Sequence, residues 1–355
     1  VRKVDNPKNR FFESEIAWDD GEAPLASLHV HEEHAKSILS ENKSPDISFR
    51  FSVNPYRGCQ HACAYCYARP SHQYWGYGAG TDFEREIIVK VNAPALLREA
   101  FERPSWRGDV IAFSGNTDCY QPLEGRYRLT RALLSICAEY KNPVGVITKS
   151  ALIQRDVDVL QQLARDARAV VFVSIPFADD TTGRAIEPGA PAIHRRFETL
   201  AALSAAGIET GVAIAPLIVG LNDRDIPSIL SRARQAGATR AFHTLLRLPA
   251  EVEPVFLSRA REALPGSADK IEHAVRDVRG GKLYDPRFGQ RMRGQGPRWD
   301  AVTQLFSLEL KRHGFNQTGR GAIADMQSAS APRAAAADAE PPTTFERPGA
   351  QLKLF

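Results

Sequence analysis

The sequence predicts a parallel α/β fold, and three observations carry that expectation. Short β-branched runs alternate with helical periodicity across residues 52–250. The runs are apolar nearly throughout, as strands covered on both faces are. Each is followed by a helical pattern rather than by a second strand, which favours parallel pairing. A closed or partly closed barrel and an open doubly wound sheet both satisfy this pattern.

The elements follow in chain order. Residues 1–50 are polar and weakly periodic and read as a surface lead-in. Ile87-Ile88-Val89-Lys90-Val91 reads as a strand followed by a helix over 93–101. Val110-Ile111-Ala112-Phe113 is followed by a helix over 126–140, and Val144-Gly145-Val146-Ile147-Thr148 by one over 152–164. Val170-Val171-Phe172-Val173-Ser174 leads to a helix over 193–206, the strand 209–215 to a helix over 226–236, and 240–246 closes the series. Helical patterns at 255–263, 268–278 and 298–313 form a C-terminal extension. After Gly319 the composition turns to Ser, Ala and Pro, as in a flexible or disordered tail. The expected organisation is a lead-in over 1–50, one domain over 51–315, a linker over 316–350 and a terminal peptide over 351–355.

Composition narrows the function classes. The 355 residues are 43% hydrophobic and 25% charged, which excludes a disordered, collagen-like or coiled-coil chain. The net charge of +4 from 46 basic and 42 acidic residues means that any polyanion must meet a local patch. One patch stands out. Arg276, Arg279, Lys282, Arg287, Arg291, Arg293 and Arg298 face only Asp277 and Asp285, a local charge of +5. With Tyr284 and Phe288 interspersed, it suits DNA, meeting phosphates and stacking on bases. The most apolar stretch, 201–221, holds Glu209, Pro216 and three glycines, so no membrane span is expected. Val1-Arg2-Lys3-Val4-Asp5 has no apolar run behind it. Together with clustered thiols, this points to a reducing cytoplasm. There is no GxGxxG after the first strand and no GxxxxGK[ST], which argues against dinucleotide and P-loop sites.

Three of the five cysteines fall in one loop, Cys59-Gln60-His61-Ala62-Cys63-Ala64-Tyr65-Cys66-Tyr67, spaced C-x3-C-x2-C. Soft thiolates suit an iron–sulfur cluster or zinc. Zinc would need a fourth ligand, for which His61 and His72 are the candidates. Three thiolates on four irons would leave one iron open.

This loop resembles the signature of the radical S-adenosylmethionine (radical SAM) superfamily. Residues 50–315 resemble its spore photoproduct lyase-like branch. The supporting segments are Tyr56-Arg57-Gly58-Cys59, Cys66-Tyr67-Ala68-Arg69-Pro70, Thr117-Asp118-Cys119-Tyr120-Gln121-Pro122, Ile147-Thr148-Lys149-Ser150 and Gly220-Leu221-Asn222-Asp223. The resemblance implies a partial (β/α)6 TIM-like barrel, with Cys59, Cys63 and Cys66 holding a [4Fe–4S] cluster. The open iron would bind S-adenosylmethionine, and an electron from a flavodoxin or ferredoxin would cleave it to a 5′-deoxyadenosyl radical. By matching position, Tyr65 would pack against the adenine. Ser114, Gly115 and Asn116 lack the usual carboxylate, so backbone carbonyls or Asn116 and Asp118 would hold the methionyl amine. Lys149 would meet the methionyl carboxylate and Ser174 the ribose. Tyr65 and Tyr67 match two tyrosines flanking the last cluster cysteine. The branch's hydrogen-donor cysteine falls at Gly115 here, leaving Cys119, four residues on, as the candidate donor.

Arg195 and Arg196 start a helix and read as a solvated basic face, with substrate contact the alternative. Gln351-Leu352-Lys353-Leu354-Phe355 resembles the pentapeptide by which bacterial repair and replication proteins dock on the sliding clamp, with Lys353 in place of Ser or Asp. The expected function is a radical SAM enzyme acting on a DNA lesion or modified base. The alternatives are the same chemistry on a peptide or small molecule, and a non-catalytic, metal-stabilised DNA or clamp adaptor.

Overall fold

The computed structural model describes residues 27–47, 49–316 and 343–349. Among the described residues, ten strands are arranged in two sheets. The strands are β1 His29–Glu33, β2 Leu39–Glu41, β3 Phe51–Val53, β4 Tyr56–Arg57, β5 Glu86–Lys90, β6 Ile111–Phe113, β7 Val144–Thr148, β8 Ala169–Ser174, β9 Glu209–Leu217 and β10 Arg240–Leu245. The larger sheet runs β10-β9-β8-β7-β6-β3-β2. Six of its strands, β3 and β6 to β10, are parallel to their neighbours, and β2 pairs antiparallel at the β3 edge. This is the partial six-stranded barrel that the family resemblance implies.

One member of the six differs. The run at 87–91, which reads as a strand of the alternating series, is β5, and it lies in a separate three-stranded sheet between β1 and β4. The first barrel strand is β3, only three residues long. Two pieces of the lead-in are also structured, since β1 pairs with β5 and β2 with β3.

Side-chain alternation sorts the barrel into two layers. Val171, Val173, Val212, Ile214, Ile111 and Phe113 join the large core under the helices. Their neighbours Val170, Phe172, Ala213 and Ala112 point the other way, into a small apolar cluster with Phe49, Ile147 and Phe242. That is the period of two along a strand, with both faces buried. Phe172 lies opposite Gly211 in register, where a Cβ would come within 2.3 Å of its ring. The ring then meets Phe242 edge-on at 5.1 Å between centroids.

The helical pattern over 126–140 is broken at Arg128, whose φ is +55°, into Glu124–Tyr127 and Leu129–Glu139. The helix Asp180–Ile186, capped by the Asp179 side chain on Thr182 N–H, is an addition to the expected elements. The C-terminal extension comprises Val252–Ala263, Ala268–Asp277 and Pro297–Arg312. Trp299 and Phe306 of the last helix pack edge-on against His243 of β10.

Residues 343–349, within the expected linker, lie against the domain. Phe345 packs on Phe101 and Tyr140, and Arg347 donates to the carbonyls of Phe101 and Arg103. The rest of the tail, including Gln351 to Phe355, is outside the described residues. Among the described residues, no helix is long and apolar enough to cross a membrane.

Candidate active site

The parallel strands deliver their C-terminal ends to one mouth, as barrels of this kind do. The cysteine loop crosses that mouth after β3 and β4. Gly58, at φ +73°, lets the chain turn against Phe83 and Ile87, where any Cβ would meet atoms at 2.9 Å. Cys59 N–H then donates to the Phe83 carbonyl at 2.8 Å, Ala64 N–H to the Ile186 carbonyl at 2.9 Å, and Gly189 N–H to the His61 carbonyl at 3.0 Å. Gln121 clamps the loop from the next turn. Its amide accepts from Gln60 N–H at 3.1 Å and donates to the Gly58 carbonyl at 3.0 Å.

Arg69 supports the loop from below. It is fully buried and donates through Nε (3.1 Å) and Nη2 (2.9 Å) to the Cys63 carbonyl, and through Nη1 to Ala79 and Gly80. Its charge is balanced by buried Glu84. In the sequence Arg69 is one member of a motif; its supporting role follows from burial.

Cys59, Cys63 and Cys66 are free thiols in this loop. Burial pushes all three up, Cys63 to about 12, with Lys149 and Arg196 pulling Cys63 back down. Forming three thiolates therefore calls for a bound cation to displace the protons. Among the described residues, no three His, Cys, Asp or Glu side chains converge as ligands of a single ion. A cluster takes each cysteine on a different iron, so its donors need not meet at one point. His61 is held instead by Asp118, Nδ1 to Oδ2 at 3.3 Å, and His72 is stacked on Tyr77 and edge-on to Phe83. Buried soft donors in one short loop, with cations beside Cys63, fit a [4Fe–4S] group.

Next to Cys63 lies a charged array on three elements. Lys149, directly after β7, places Nζ 3.8 Å from Glu187 Oε1 and 5.6 Å from the centre of the Tyr65 ring. Tyr65 donates its hydroxyl to Glu187 Oε1. Arg196 pairs with the other carboxylate oxygen and donates to the Ser174 carbonyl at 3.2 Å. Burial raises the Glu187 pKa, and Arg196 opposes that rise. Arg196 is thus buried, not part of a solvated face; the correction does not extend to Arg195, which is exposed and paired with Glu198. Arginine at 196 falls one helical position inward of 195, enough to change its environment entirely. Glu187 is absent from the expected set, because it follows the additional helix 180–186 in an irregular loop.

The remaining expected site residues are placed as follows. Ser114, at φ +72°, follows β6 and accepts from Cys119 N–H at 3.0 Å. Gly115 backs onto Ser52, where a Cβ would come within 2.8 Å, and its carbonyl accepts from the Tyr67 hydroxyl at 3.0 Å. Asn116 reaches Ser71 Oγ at 3.4 Å. Ser174 ends β8 and donates to the Ala215 carbonyl at 3.3 Å. Asp118 accepts from Thr148 Oγ1 (2.7 Å), Lys149 N–H (2.9 Å) and Tyr120 N–H (2.9 Å). Burial alone would raise its pKa; His61, Lys149 N–H and the Thr148 hydroxyl hold it well below the ordinary carboxylate range. Asp118 therefore ties the loop after β6 to the end of β7. Cys119 is wholly buried in the helix-side core and contributes no surface to the mouth. Tyr67 is half exposed, with Arg247 over its ring at 5.2 Å. Arg247, which follows β10, is a second mouth residue absent from the expected set.

Comparison with known proteins agrees with this geometry. Residues 53–233 match the family profile described as the radical SAM superfamily. An uncharacterized protein of Mycobacterium tuberculosis is 39% identical over 217 residues, 60% of this chain and 63% of that one. The chain thus spans less than two thirds of this relative's length. An uncharacterized protein of Methanocaldococcus jannaschii is 30% identical over 189 residues, 53% of this chain and 68% of the other. Among solved structures, spore photoproduct lyase complexed with dinucleoside spore photoproduct has the same fold. Its TM-score is 0.58 at 13% identity, over 81% of this chain and 80% of that one.

Proposed function

The chain belongs to the radical SAM superfamily, and from that premise we propose that it is an iron–sulfur enzyme acting on nucleic acid, in lesion repair or base modification. The observation that carries the reading is the cysteine loop beside the Lys149–Glu187–Arg196–Tyr65 array at the barrel mouth. When bound, a [4Fe–4S] cluster with S-adenosylmethionine supplies a 5′-deoxyadenosyl radical after one-electron reduction by a donor such as flavodoxin or ferredoxin.

The protein's part is binding and orientation. Cys59, Cys63 and Cys66 would hold the cluster. Lys149 is a point charge suited to a carboxylate, while Glu187, with its second oxygen facing Arg196, fixes Tyr65 as a flat wall for a purine. Gly115, Asn116 and Ser174 present polar groups on the strand ends to the amine and ribose, and Asp118 holds their loops in place. Tyr67, half exposed under Arg247, faces substrate. Cys119 enters as the candidate hydrogen donor; since it is wholly buried on the helix side, that role requires its loop to move toward the mouth.

The basic segment from Arg276 to Arg298 supports a nucleic-acid substrate over a peptide or metabolite. Gln351 to Phe355 supports recruitment to the sliding clamp, and the setting is cytoplasmic. Anaerobic reconstitution tests the reading. A brown protein that releases 5′-deoxyadenosine on reduction, faster with irradiated than with unirradiated DNA, is the expected result. Turnover indifferent to DNA would move the substrate to a peptide or small molecule. A colourless zinc protein would leave only the adaptor. Cys119→Ala with unchanged product removes the donor role, and unaltered clamp binding after loss of residues 351–355 removes the clamp.

A further inference from the structure

We propose that the cavity between the 278–285 and 287–295 stretches is a phosphate site for the backbone of a nucleic-acid strand, set beside the barrel mouth. It rests on the nucleic-acid reading above and names where that strand is gripped. The cavity measures about 130 Å³, and its wall carries Arg279, Lys282, Arg287 and Arg293 against one carboxylate, Asp285. Asp285 is already occupied. It accepts from Arg287 N–H at 3.0 Å and pairs with the Arg287 guanidinium at 2.6 Å. That leaves three cations to the cavity. Lys282 and Arg293 have no carboxylate within ion-pair distance among the described residues.

Arg279 makes the site a built one. It is 6% exposed, yet its guanidinium hydrogen-bonds only to carbonyls, those of Leu246 (2.6 Å), Arg291 (3.0 Å) and Arg293 (3.4 Å), with the Tyr284 ring centre 6.0 Å away, and its buried Nε has no hydrogen-bond partner. A buried cation with no carboxylate in ion-pair contact lacks the counter-charge that normally offsets its desolvation. Burial accordingly lowers its pKa to about 10. An oxyanion in the adjoining cavity supplies that counter-charge, and arginine is the side chain whose geometry best suits phosphate. Gly280, at φ +61°, keeps the wall open: a Cβ there would press within 2.5 Å of the Gln295 amide.

Placement ties the cavity to the chemistry. Arg279 holds the carbonyl of Leu246, and the next residue, Arg247, stands over Tyr67, the neighbour of Cys66. The Arg291 side chain braces the far wall through Asp46 at 2.6 Å and carries Phe288, 61% exposed, under its guanidinium. Phosphate in the cavity and an exposed ring near it, joined through Leu246 to Arg247 at the mouth, would lead a strand from the cavity toward the site.

The test uses the full chain and a labelled single-stranded oligonucleotide, titrated between about 50 and 200 mM salt. The double variant Lys282→Gln, Arg293→Gln should bind roughly tenfold more weakly, with a salt slope shallower by about 0.7 for each phosphate no longer neutralised. The equal-charge control Lys311→Gln, Arg312→Gln, outside the cavity, should change binding less. Inorganic phosphate should compete with the oligonucleotide on the parent chain. Arg293→Lys should retain part of the affinity, and unchanged circular dichroism confirms folding. An oligonucleotide bound equally well by both double variants overturns the cavity while leaving the nucleic-acid reading intact. Inorganic phosphate bound by a parent chain that ignores the oligonucleotide overturns the strand and leaves a free-phosphate site. Neither ligand bound overturns both.

Discussion

Arg196 and Glu187 face each other inside the barrel wall, both 1% exposed, with the guanidinium on the carboxylate and the Tyr65 hydroxyl on its other oxygen. The pair joins the helix Ile193–Ala205 to the loop after Asp180–Ile186 and sets one side of the mouth. Arg196→Met leaves the buried Glu187 carboxylate with only the Tyr65 hydroxyl and the more distant Lys149, which costs at most about 3–5 kcal/mol. The sign of the pH dependence follows. Burial raises the Glu187 pKa and Arg196 opposes the rise, so its removal lifts the folded value further. A group raised on folding supports the fold below its unfolded pKa, about 4.3, and that support is lost as pH rises through the folded value. The deficit of Arg196→Met, read from urea midpoints, should therefore be smaller at pH 5 than at pH 7. A deficit independent of pH would refute the pairing.

Asp118 gives the opposite slope. Its folded pKa lies below the ordinary value despite burial, because His61, Lys149 N–H and Thr148 Oγ1 favour the charged form. Its contribution is present above about pH 3.9 and fades as pH falls toward the folded value. Asp118→Asn should lose stability at pH 6, and its gap from the parent chain should close in more acidic solution. Paired urea titrations at pH 6 and pH 3 check this.

Gly189 tests the cysteine loop by shape alone. A Cβ at this position would fall 2.1 Å from the Gln60 carbonyl, a backbone atom with nowhere to move. Gly189→Ala should push the Cys59–Cys63 turn out of place, costing about 1–3 kcal/mol as overpacking does. The decisive readout is iron bound per chain after reconstitution. It should fall severalfold while the far-ultraviolet spectrum stays that of the parent. Full iron loading would mean that the loop tolerates displacement.

These predictions rest unevenly on what is legible in the sequence. Strand-helix alternation is periodic, so the parallel sheet and the helices can be read directly. β3 cannot, since three residues carry no period, while Ile87-Ile88-Val89 advertises a strand whichever sheet it joins. The helix break at Arg128 needs a positive φ in a non-glycine residue, which no local pattern announces. At the site, the cysteines, Lys149 and Ser174 sit at motif positions or strand ends, which a local pattern announces. Glu187, Arg247 and the burial of Arg196 depend on which distant elements pack together, and that information is tertiary.

The packed segment 343–349 yields the last prediction. Gly108, at φ +80°, leaves room that a Cβ would close to within 2.3 Å of Phe345. Arg347 donates to Phe101 and Arg103 carbonyls at the end of the helix Ala93–Glu102, where a cation also meets the negative end of the helix dipole. Lys141 pairs with Glu346 at 2.5 Å. Gly108 and Lys141 precede β6 and β7, so the segment lies at the N-terminal ends of the strands, opposite the mouth. Phe345→Ala removes a half-buried ring worth about 1–2 kcal/mol, shared between the segment and the domain. The melting temperature should drop by only about 2–4 °C per kcal/mol, while amide exchange in residues 343–349 becomes fast. Cleavage of S-adenosylmethionine should be unaffected, because no contact of the segment reaches the strand ends that carry the site. A large loss of cleavage in Phe345→Ala would show that the two ends of the barrel are coupled.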